Sequence, residues 1–203
     1  LFRSKEKWFS RYTIGFPILL AIGGAVGGQF LVNPLISCGI VVLLFLCARE
    51  LAGNRAGVAA VFMALFSPSF VVLGATYFPH TSESFFSLLV CYCVLLIIKR
   101  AENRIAPWLP LTAAFAVIML FLIRPGSGLA VFAGAVLPLL YNLITTRSRN
   151  LVKPFLIVAA GAVVGVGILL LVNQAQTGDP FLFAFNKYRA EEKLGFFFGH
   201  TPL

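Results

Sequence analysis

Residues 154–172 read PFLIVAAGAVVGVGILLLV, nineteen residues without a charged side chain. A helix rises about 1.5 Å per residue, so this segment is about long enough to cross the roughly 30 Å hydrocarbon core of a bilayer. Further apolar segments precede it at residues 35–48, 56–78, 84–98, 105–123 and 126–144. Proline removes a backbone donor, so we expect Asn33-Pro34 to break the helix that precedes 35–48 and Ser67-Pro68-Ser69 to kink the span at 56–78. The pattern predicts an all-α, polytopic transmembrane bundle of about six spans, with residues 1–203 forming one transmembrane domain.

The composition points to the same class of protein. Hydrophobic residues make up 60% of the chain, charged residues 11%, and the mean hydropathy is +0.95. Soluble domains average about 45–50% apolar and about 25% charged residues, so lipid is the expected solvent for most of this surface. The net charge is +9, but the cations form short clusters between apolar runs rather than one basic face with stacking aromatics. Nucleic-acid binding is therefore excluded.

The four cysteines all lie inside apolar runs. Cys91 and Cys93 are two residues apart and would point to different faces of a helix. We expect small buried residues rather than a zinc site or a disulfide framework. No metal site is predicted, and the sequence leaves any cofactor unknown.

The N-terminal segment, residues 1–31, differs from the spans. It begins basic and aromatic and continues into a glycine-rich apolar stretch with a proline at position 17. We expect residues 14–31 to form a helix along the membrane interface rather than a crossing. The spacings Gly23/Gly27 and Gly24/Gly28 permit close helix packing, although such spacings also arise by chance in a glycine-rich stretch. Residues 32–172 would then hold the spans, and residues 173–203 would form a polar, aromatic loop at the outer face.

The charged residues divide into two sets if the spans alternate in direction. One set, in three tight turns around residues 49–55, 99–104 and 147–153, has 8 basic and 2 acidic residues. The other, which includes the N-terminal segment, Glu83, Arg124 and the C-terminal loop, has 8 basic and 5 acidic residues. The positive-inside rule operates best on short loops, so we place the first set in the cytoplasm.

Unusual polar residues gather in the second set. His80 and Glu83 are three residues apart at a predicted helix start, where they could position a substrate or act as acid and base. The alternative is a plain capped loop, with Thr81 or Ser82 as the N-cap.

Arg124 stands alone between two uncharged spans and is followed by Pro-Gly-Ser-Gly. It could be a snorkelling anchor. However, glycines let the backbone approach a ligand closely, and a guanidinium suits the bidentate binding of phosphate.

Four elements resemble the C-type membrane glycosyltransferases, specifically bacterial relatives of the dolichyl-phosphate-mannose–protein mannosyltransferases. They are Trp-Phe-Ser-Arg-Tyr-x-x-Gly at 8–15, Arg-Glu-Leu-x-Gly-x-Arg-Ala-Gly at 49–57, Ser-Pro…His-Thr at 67–81, and Arg124-Pro125 after an apolar helix. The Thr-Gly-Asp-Pro…His-Thr-Pro tail is also similar to that family.

The resemblance implies a glycosyltransferase of the bacterial plasma membrane that moves a sugar from a polyprenyl-phosphate carrier to an acceptor at the outer face. It implies that Arg11 and Tyr12 lie near the lipid phosphate, that Arg124 holds phosphate and that His200 closes over the donor. It also implies that His80 stands where relatives often carry an acidic residue that lines the sugar site. Thr13-Ile14 stands where relatives usually have Pro-Pro. The family's catalytic carboxylate lies in an outer loop upstream of the N-terminal motif, so we expect this chain to be a fragment without that base, with His80 and Glu83 as the candidate catalytic residues.

Two other functions fit the sequence. One is a transporter or flippase of a lipid-linked substrate, although no convincing internal repeat is present. The other is a non-catalytic membrane scaffold. The identity of the acceptor is open in every case.

Overall fold

A computed structural model describes residues 2–4, 7–9, 13–102, 105–146 and 148–184. Its helices are α1 (Gly15–Ala25), α2 (Val32–Ala52), α3 (Asn54–Leu65), α4 (Pro68–Gly74), α5 (His80–Lys99), α6 (Trp108–Ile123), α7 (Pro125–Thr146) and α8 (Val152–Thr177). Short 3-10 turns at Gln29–Leu31 and Arg149–Leu151 lead into α2 and α8. The prediction of a helical membrane bundle is confirmed.

A small antiparallel hairpin precedes the helices. Strand β1 (Phe2–Ser4) pairs with β2 (Lys7–Phe9), with Arg3 opposite Trp8. Sequence analysis did not anticipate it, because a three-residue strand is too short to give a clear alternating pattern.

Each of the six apolar segments forms helix, but not all reach spanning length. Within the described residues, four helical stretches are long and apolar enough to cross a membrane: Gln29–Ala52, His80–Lys99, Pro125–Thr146 and Arg149–Thr177. Helices α3 and α4 qualify together as a fifth, bent by 69°. Helix α6 has only 16 residues, about 24 Å. Where about six spans were predicted, the described residues therefore hold four helices of spanning length, or five if α3 and α4 count as one.

The bend between α3 and α4 follows from local sequence. Pro68 occupies the first turn of α4, and the hydroxyl of Ser67 accepts a hydrogen bond from the amide of Phe70 at 3.4 Å. Proline cannot continue the preceding hydrogen-bond ladder, and serine caps the new helix. The kink predicted at Ser67-Pro68-Ser69 is thus a complete break.

Long-range hydrogen bonds define the two ends of the bundle. At the end that we call the Lys99 end, Nζ of Lys99 lies 3.1 Å from Oε2 of Glu50, which joins the last turns of α2 and α5. The hydroxyl of Ser148 donates to the carbonyl of Ala101 at the same end. At the opposite, His80 end, the side chain of Asn33 donates to the carbonyl of Phe78 at 3.0 Å. The α3–α4 pair therefore runs from one end to the other.

Helix α1 does not run between the ends. The hydroxyl of Thr13, just before α1, donates to the carbonyl of Ile123 at 2.5 Å, and α1 leads through Gln29–Leu31 to Asn33. Both its termini therefore lie at the His80 end. Its location in the membrane interface stays a prediction.

The core is built around α6. Eleven of its sixteen residues are buried, and it packs against α1, α5, α7 and α8. A Cβ on Gly161 of α8 would lie 2.8 Å from Cα of Ala114, and Gly165 approaches Ile118 similarly. The close packing of small residues four apart therefore occurs at Gly161 and Gly165.

The glycines of the N-terminal segment differ in role. Gly23 is buried in α1, and a Cβ there would lie 3.1 Å from Cα of Gln29, so this glycine permits the close approach of the chain that leads into α2. Gly27 has φ +71° and lies in the turn that follows α1, where a Cβ would meet no atom within 4 Å. The cysteine prediction is partly wrong, because Cys93 is buried whereas Cys38 and Cys91 lie on exposed helix surfaces.

Candidate active site at the His80 end

Three side chains singled out in the sequence meet at the His80 end. Nη1 of Arg124 donates to Oε2 of Glu83 at 3.0 Å and lies 3.3 Å from Nδ1 of His80. Nδ1 of His80 lies 3.7 Å from the same carboxylate oxygen. We call these three residues the His80 triad.

The three side chains of the triad differ in their exposure to solvent. The side chain of Glu83 is 17% exposed, that of His80 45% and that of Arg124 52%. The carboxylate therefore lies on the protein side, and the two nitrogen-bearing groups face outward. A guanidinium carries five N–H donors, so Arg124 can hold Glu83 through one nitrogen and present others to a ligand.

Buried contacts fix the first turn of α5 that carries His80 and Glu83. The hydroxyl of Thr81 donates to the carbonyl of Leu73 at 3.0 Å, which ties this turn to α4. Ser82 is completely buried. The alternative interpretation, in which Thr81 or Ser82 caps the helix, is wrong, because α5 begins at His80 and its N-cap is Pro79. Both hydroxyls point into the protein and leave His80 and Glu83 at the surface.

Arg124 lies at the junction of α6 and α7. Its backbone is extended (φ −154°, ψ 94°), and α7 begins with the next residue. The expected glycine turn is therefore absent, because Pro125 to Gly128 form the first turn of a helix. A Cβ on Gly128 would lie 3.0 Å from the amide nitrogen of Phe121, so this glycine permits packing of α7 on α6.

The role of Asn33 was not predicted from the sequence. We expected Asn33-Pro34 to break a helix, whereas both residues lie in the first turn of α2. Asn33 is 4% exposed, and its amide nitrogen donates to the carbonyls of Thr76 and Phe78. It therefore fixes the loop that leads into His80. The sequence feature that could have identified Asn33 is its strongly polar side chain at the start of an apolar span.

Two small cavities lie at the His80 end, and one of them is lined by a residue of the triad. One, of about 180 Å³, opens next to His80 and is lined by Ile40, Phe70, Leu73, His80, Thr81 and Ser84. The other, of about 130 Å³, is lined by Gln29, Phe30, Asn33, Ala75, Thr76 and Tyr77. Both cavities are smaller than the roughly 300–1,000 Å³ of typical ligand pockets, so each could take only part of a ligand such as a sugar.

The C-terminal end of α8 forms a defined turn. Gly178 adopts a left-handed conformation (φ 85°), and the side-chain amide of Asn173 donates to the carbonyl of Pro180 at 3.0 Å. Oδ1 of Asp179 accepts from the amide of Phe181 at 2.9 Å. The Thr-Gly-Asp-Pro stretch noted in the sequence is thus a helix-ending motif.

The remaining predicted site residues are Arg11, Tyr12 and His200, which lie outside the described residues. Thr13, which follows Tyr12 in the sequence, is bonded to the carbonyl of Ile123, one residue before Arg124. Across the described ranges, no three His, Cys, Asp or Glu side chains are grouped closely enough to hold a metal ion.

The chain was compared with known proteins. The model of the family described as dolichyl-phosphate-mannose–protein mannosyltransferase matches residues 14–172, which is more than three quarters of the chain. The chain belongs to this family. No curated protein and no solved structure matches it.

Family membership confirms the resemblance noted in the sequence. It identifies an integral membrane glycosyltransferase of the mannosyltransferase type. The matched range contains α1 to α7, most of α8 and all three residues of the His80 triad.

Proposed function

We propose that the protein transfers a sugar from a polyprenyl-phosphate carrier to an acceptor at the outer face of a bacterial plasma membrane. The observation that carries this proposal is the His80 triad, in which an arginine is held by a carboxylate 3.0 Å away at one end of a mannosyltransferase-family bundle. A lipid phosphate brings negative charge to this boundary, and arginine binds phosphate by parallel hydrogen bonds.

In the proposed reaction the acceptor oxygen attacks the anomeric carbon of the sugar. The bond between that carbon and the phosphate oxygen breaks, and the bonding electrons leave with the lipid phosphate. Arg124 stabilises the departing phosphate, because cationic donors that point at developing charge lower the barrier. Glu83 keeps the guanidinium in place through Nη1.

We assign to His80 the binding of the sugar. Its imidazole is 45% exposed and lines the 180 Å³ cavity, so a hydroxyl of the sugar could exchange a hydrogen bond with a ring nitrogen. The ring could also move a proton between the acceptor and water.

The base that deprotonates the acceptor is not assigned to an acid of the described His80 end. In the part of the His80 end that the structure describes, the acids are Glu83 and Asp179, and each uses a carboxylate oxygen in a contact within the protein. The family resemblance implies a carboxylate in an outer loop that precedes Trp8. The proposal therefore gives Glu83 a positioning role.

The test is sugar transfer from a radiolabelled polyprenyl-phosphate-linked donor by the full-length protein in membranes. Removal of one transition-state donor costs about 10²–10³ in rate in well-studied enzymes. We expect a loss of about this size in Arg124→Ala and a smaller loss in His80→Ala. The control is Arg55→Ala, an exposed cation near the Lys99 end. Full activity in both site variants would overturn the site assignment.

A transporter or flippase remains the second candidate, favoured by one observation. The α3–α4 pair is a broken span, bent by 69°, and broken helices are common in transporters. Movement of a lipid-linked sugar across proteoliposomes without any covalent product would support this candidate over transfer.

A further inference from the structure

The largest of the cavities described here lies at the Lys99 end, opposite the His80 triad. It has a volume of about 490 Å³ and opens between the start of α6 and the start of α8. Its lining includes Ile105, Pro107, Pro110, Arg149, Lys153 and Ile157. The cavity thus combines two cations with an apolar wall.

Neither cation is neutralised within the described chain. Arg149 and Lys153 are exposed and form no ion pair with any described acid. Glu50, an acid of the same end, is engaged by Lys99 and Arg49. The two cations therefore retain their full positive charge for a ligand.

The segment that carries the cations is fixed. Leu151 is completely buried, and the side chains of Ser148 and Asn150 both donate to the carbonyl of Ala101, at 2.7 and 3.2 Å. Arg149 lies in the 3-10 turn and Lys153 in the first turn of α8, and both line the same cavity. Because the backbone that carries them is fixed, binding a ligand costs less ordering entropy than it would on a mobile loop.

We propose that this cavity binds the headgroup of an anionic phospholipid. The two cations would hold the phosphate, and Ile105, Pro107 and Ile157 would contact the glycerol and the first methylenes of the acyl chains. A free phosphate ion would use the cations but not the apolar wall. Basic pockets between helices at a membrane boundary are suited to anionic headgroups. The site is separate from the donor site, because the two lie at opposite ends of the bundle.

The experiment measures lipid binding to the purified full-length protein in detergent by native mass spectrometry and thermal unfolding. The probes are phosphatidylglycerol, phosphatidylcholine with the same acyl chains, and inorganic phosphate. We expect phosphatidylglycerol to bind at least about tenfold more tightly than phosphatidylcholine. We expect this preference to disappear in the double variant Arg149→Gln/Lys153→Gln.

The matched control is Arg55→Gln/Arg100→Gln, which removes two exposed cations of the same end that do not line the cavity. It should keep the preference. Arg149→Lys preserves the charge and should also keep most of it, which separates a charge effect from misfolding. Equal loss in both double variants, equal binding of the two lipids, or the same stabilisation by inorganic phosphate would each overturn the proposal.

Discussion

Arg124 and Glu83 are 41 residues apart in sequence, yet Nη1 of one lies 3.0 Å from Oε2 of the other. The contact joins the α6–α7 junction to the first turn of α5. Glu83 is mostly covered and Arg124 is half-exposed, so the carboxylate holds the guanidinium at the surface of the His80 end. The pair has no net charge before a phosphate arrives.

This relationship predicts that Glu83 acts through Arg124. Glu83→Gln keeps the shape of the side chain but loses its charge, so the guanidinium is no longer held by an ion pair. We expect reduced sugar transfer, with a higher KM for the donor. The double variant Glu83→Gln/Arg124→Ala should be no worse than Arg124→Ala alone, because residues that act as a unit are not additive. A double variant whose loss of transfer activity equals the product of the two single losses would contradict a positioning role.

A second prediction concerns Asn33. Asn33→Ala removes the donor from the carbonyls of Thr76 and Phe78 and leaves two partly buried acceptors without it. We expect the free energy of unfolding to fall by about 1–3 kcal/mol, measured by denaturant unfolding in detergent micelles.

The control for Asn33 is Ser37→Ala on the next turn of α2. The buried hydroxyl of Ser37 has no hydrogen-bond partner among the described residues, so its removal should leave stability unchanged or slightly higher. Equal losses in the two variants would show that the hydrogen bonds of Asn33 do not stabilise the loop.

A third prediction tests the packing of α6 on α8. Gly161→Val places a side chain against the backbone of Ala114, where even a Cβ would be 2.8 Å from Cα. Overpacking in a fitted core costs about 1–3 kcal/mol, so we expect a clear drop in Tm. Gly167→Val is the matched control, because a Cβ there meets no atom within 4 Å. An unchanged Tm in Gly161→Val would mean that the two helices are not this close.

A fourth prediction concerns the path of α3 and α4. If the pair crosses the membrane, residues on either side of it must face opposite compartments. Tyr77→Cys and Asn54→Cys, in a background with Cys38, Cys47, Cys91 and Cys93 replaced by alanine, should react with a membrane-impermeant maleimide from opposite sides. Both positions are exposed. Labelling of both from one side would identify a re-entrant loop instead.

The positions of the helices could be predicted from the sequence because hydropathy is a local property. The apolar segment at 84–98 lies within α5, and the interruption predicted at Ser67-Pro68 separates α3 from α4. The lengths were less predictable, because α2 extends past Asn33-Pro34, where we expected a break. A proline in the first turn of a helix loses no hydrogen bond, so Pro34 does not interrupt α2.

The candidate site was predictable in its members but not in their arrangement. His80, Glu83 and Arg124 stood out because polar groups are rare in apolar surroundings. That Glu83 would pair with Arg124 depends on how α5 packs beside the α6–α7 junction, which no local pattern encodes. The same holds for the glycines after Arg124, because Gly128 is small to fit Phe121, whereas a Cβ on Gly126 would meet no atom within 4 Å.

The shortness of α6 has a consequence for the surrounding lipid. Its neighbours α5, α7 and α8 have 20, 22 and 26 residues, or about 30, 33 and 39 Å, against about 24 Å for α6. Hydrophobic mismatch penalises a short helix only where it meets lipid. Eleven of the sixteen residues of α6 are buried, and its large exposed side chains are Trp108, Leu111 and Phe115. Most of α6 is therefore shielded from lipid, and the bundle can be thinner at α6 than at α5, α7 and α8. Arg124 follows one end of this helix, and the Arg149–Lys153 cavity opens at the other. Two phosphate groups from opposite leaflets could thus approach each other more closely than the bilayer allows elsewhere.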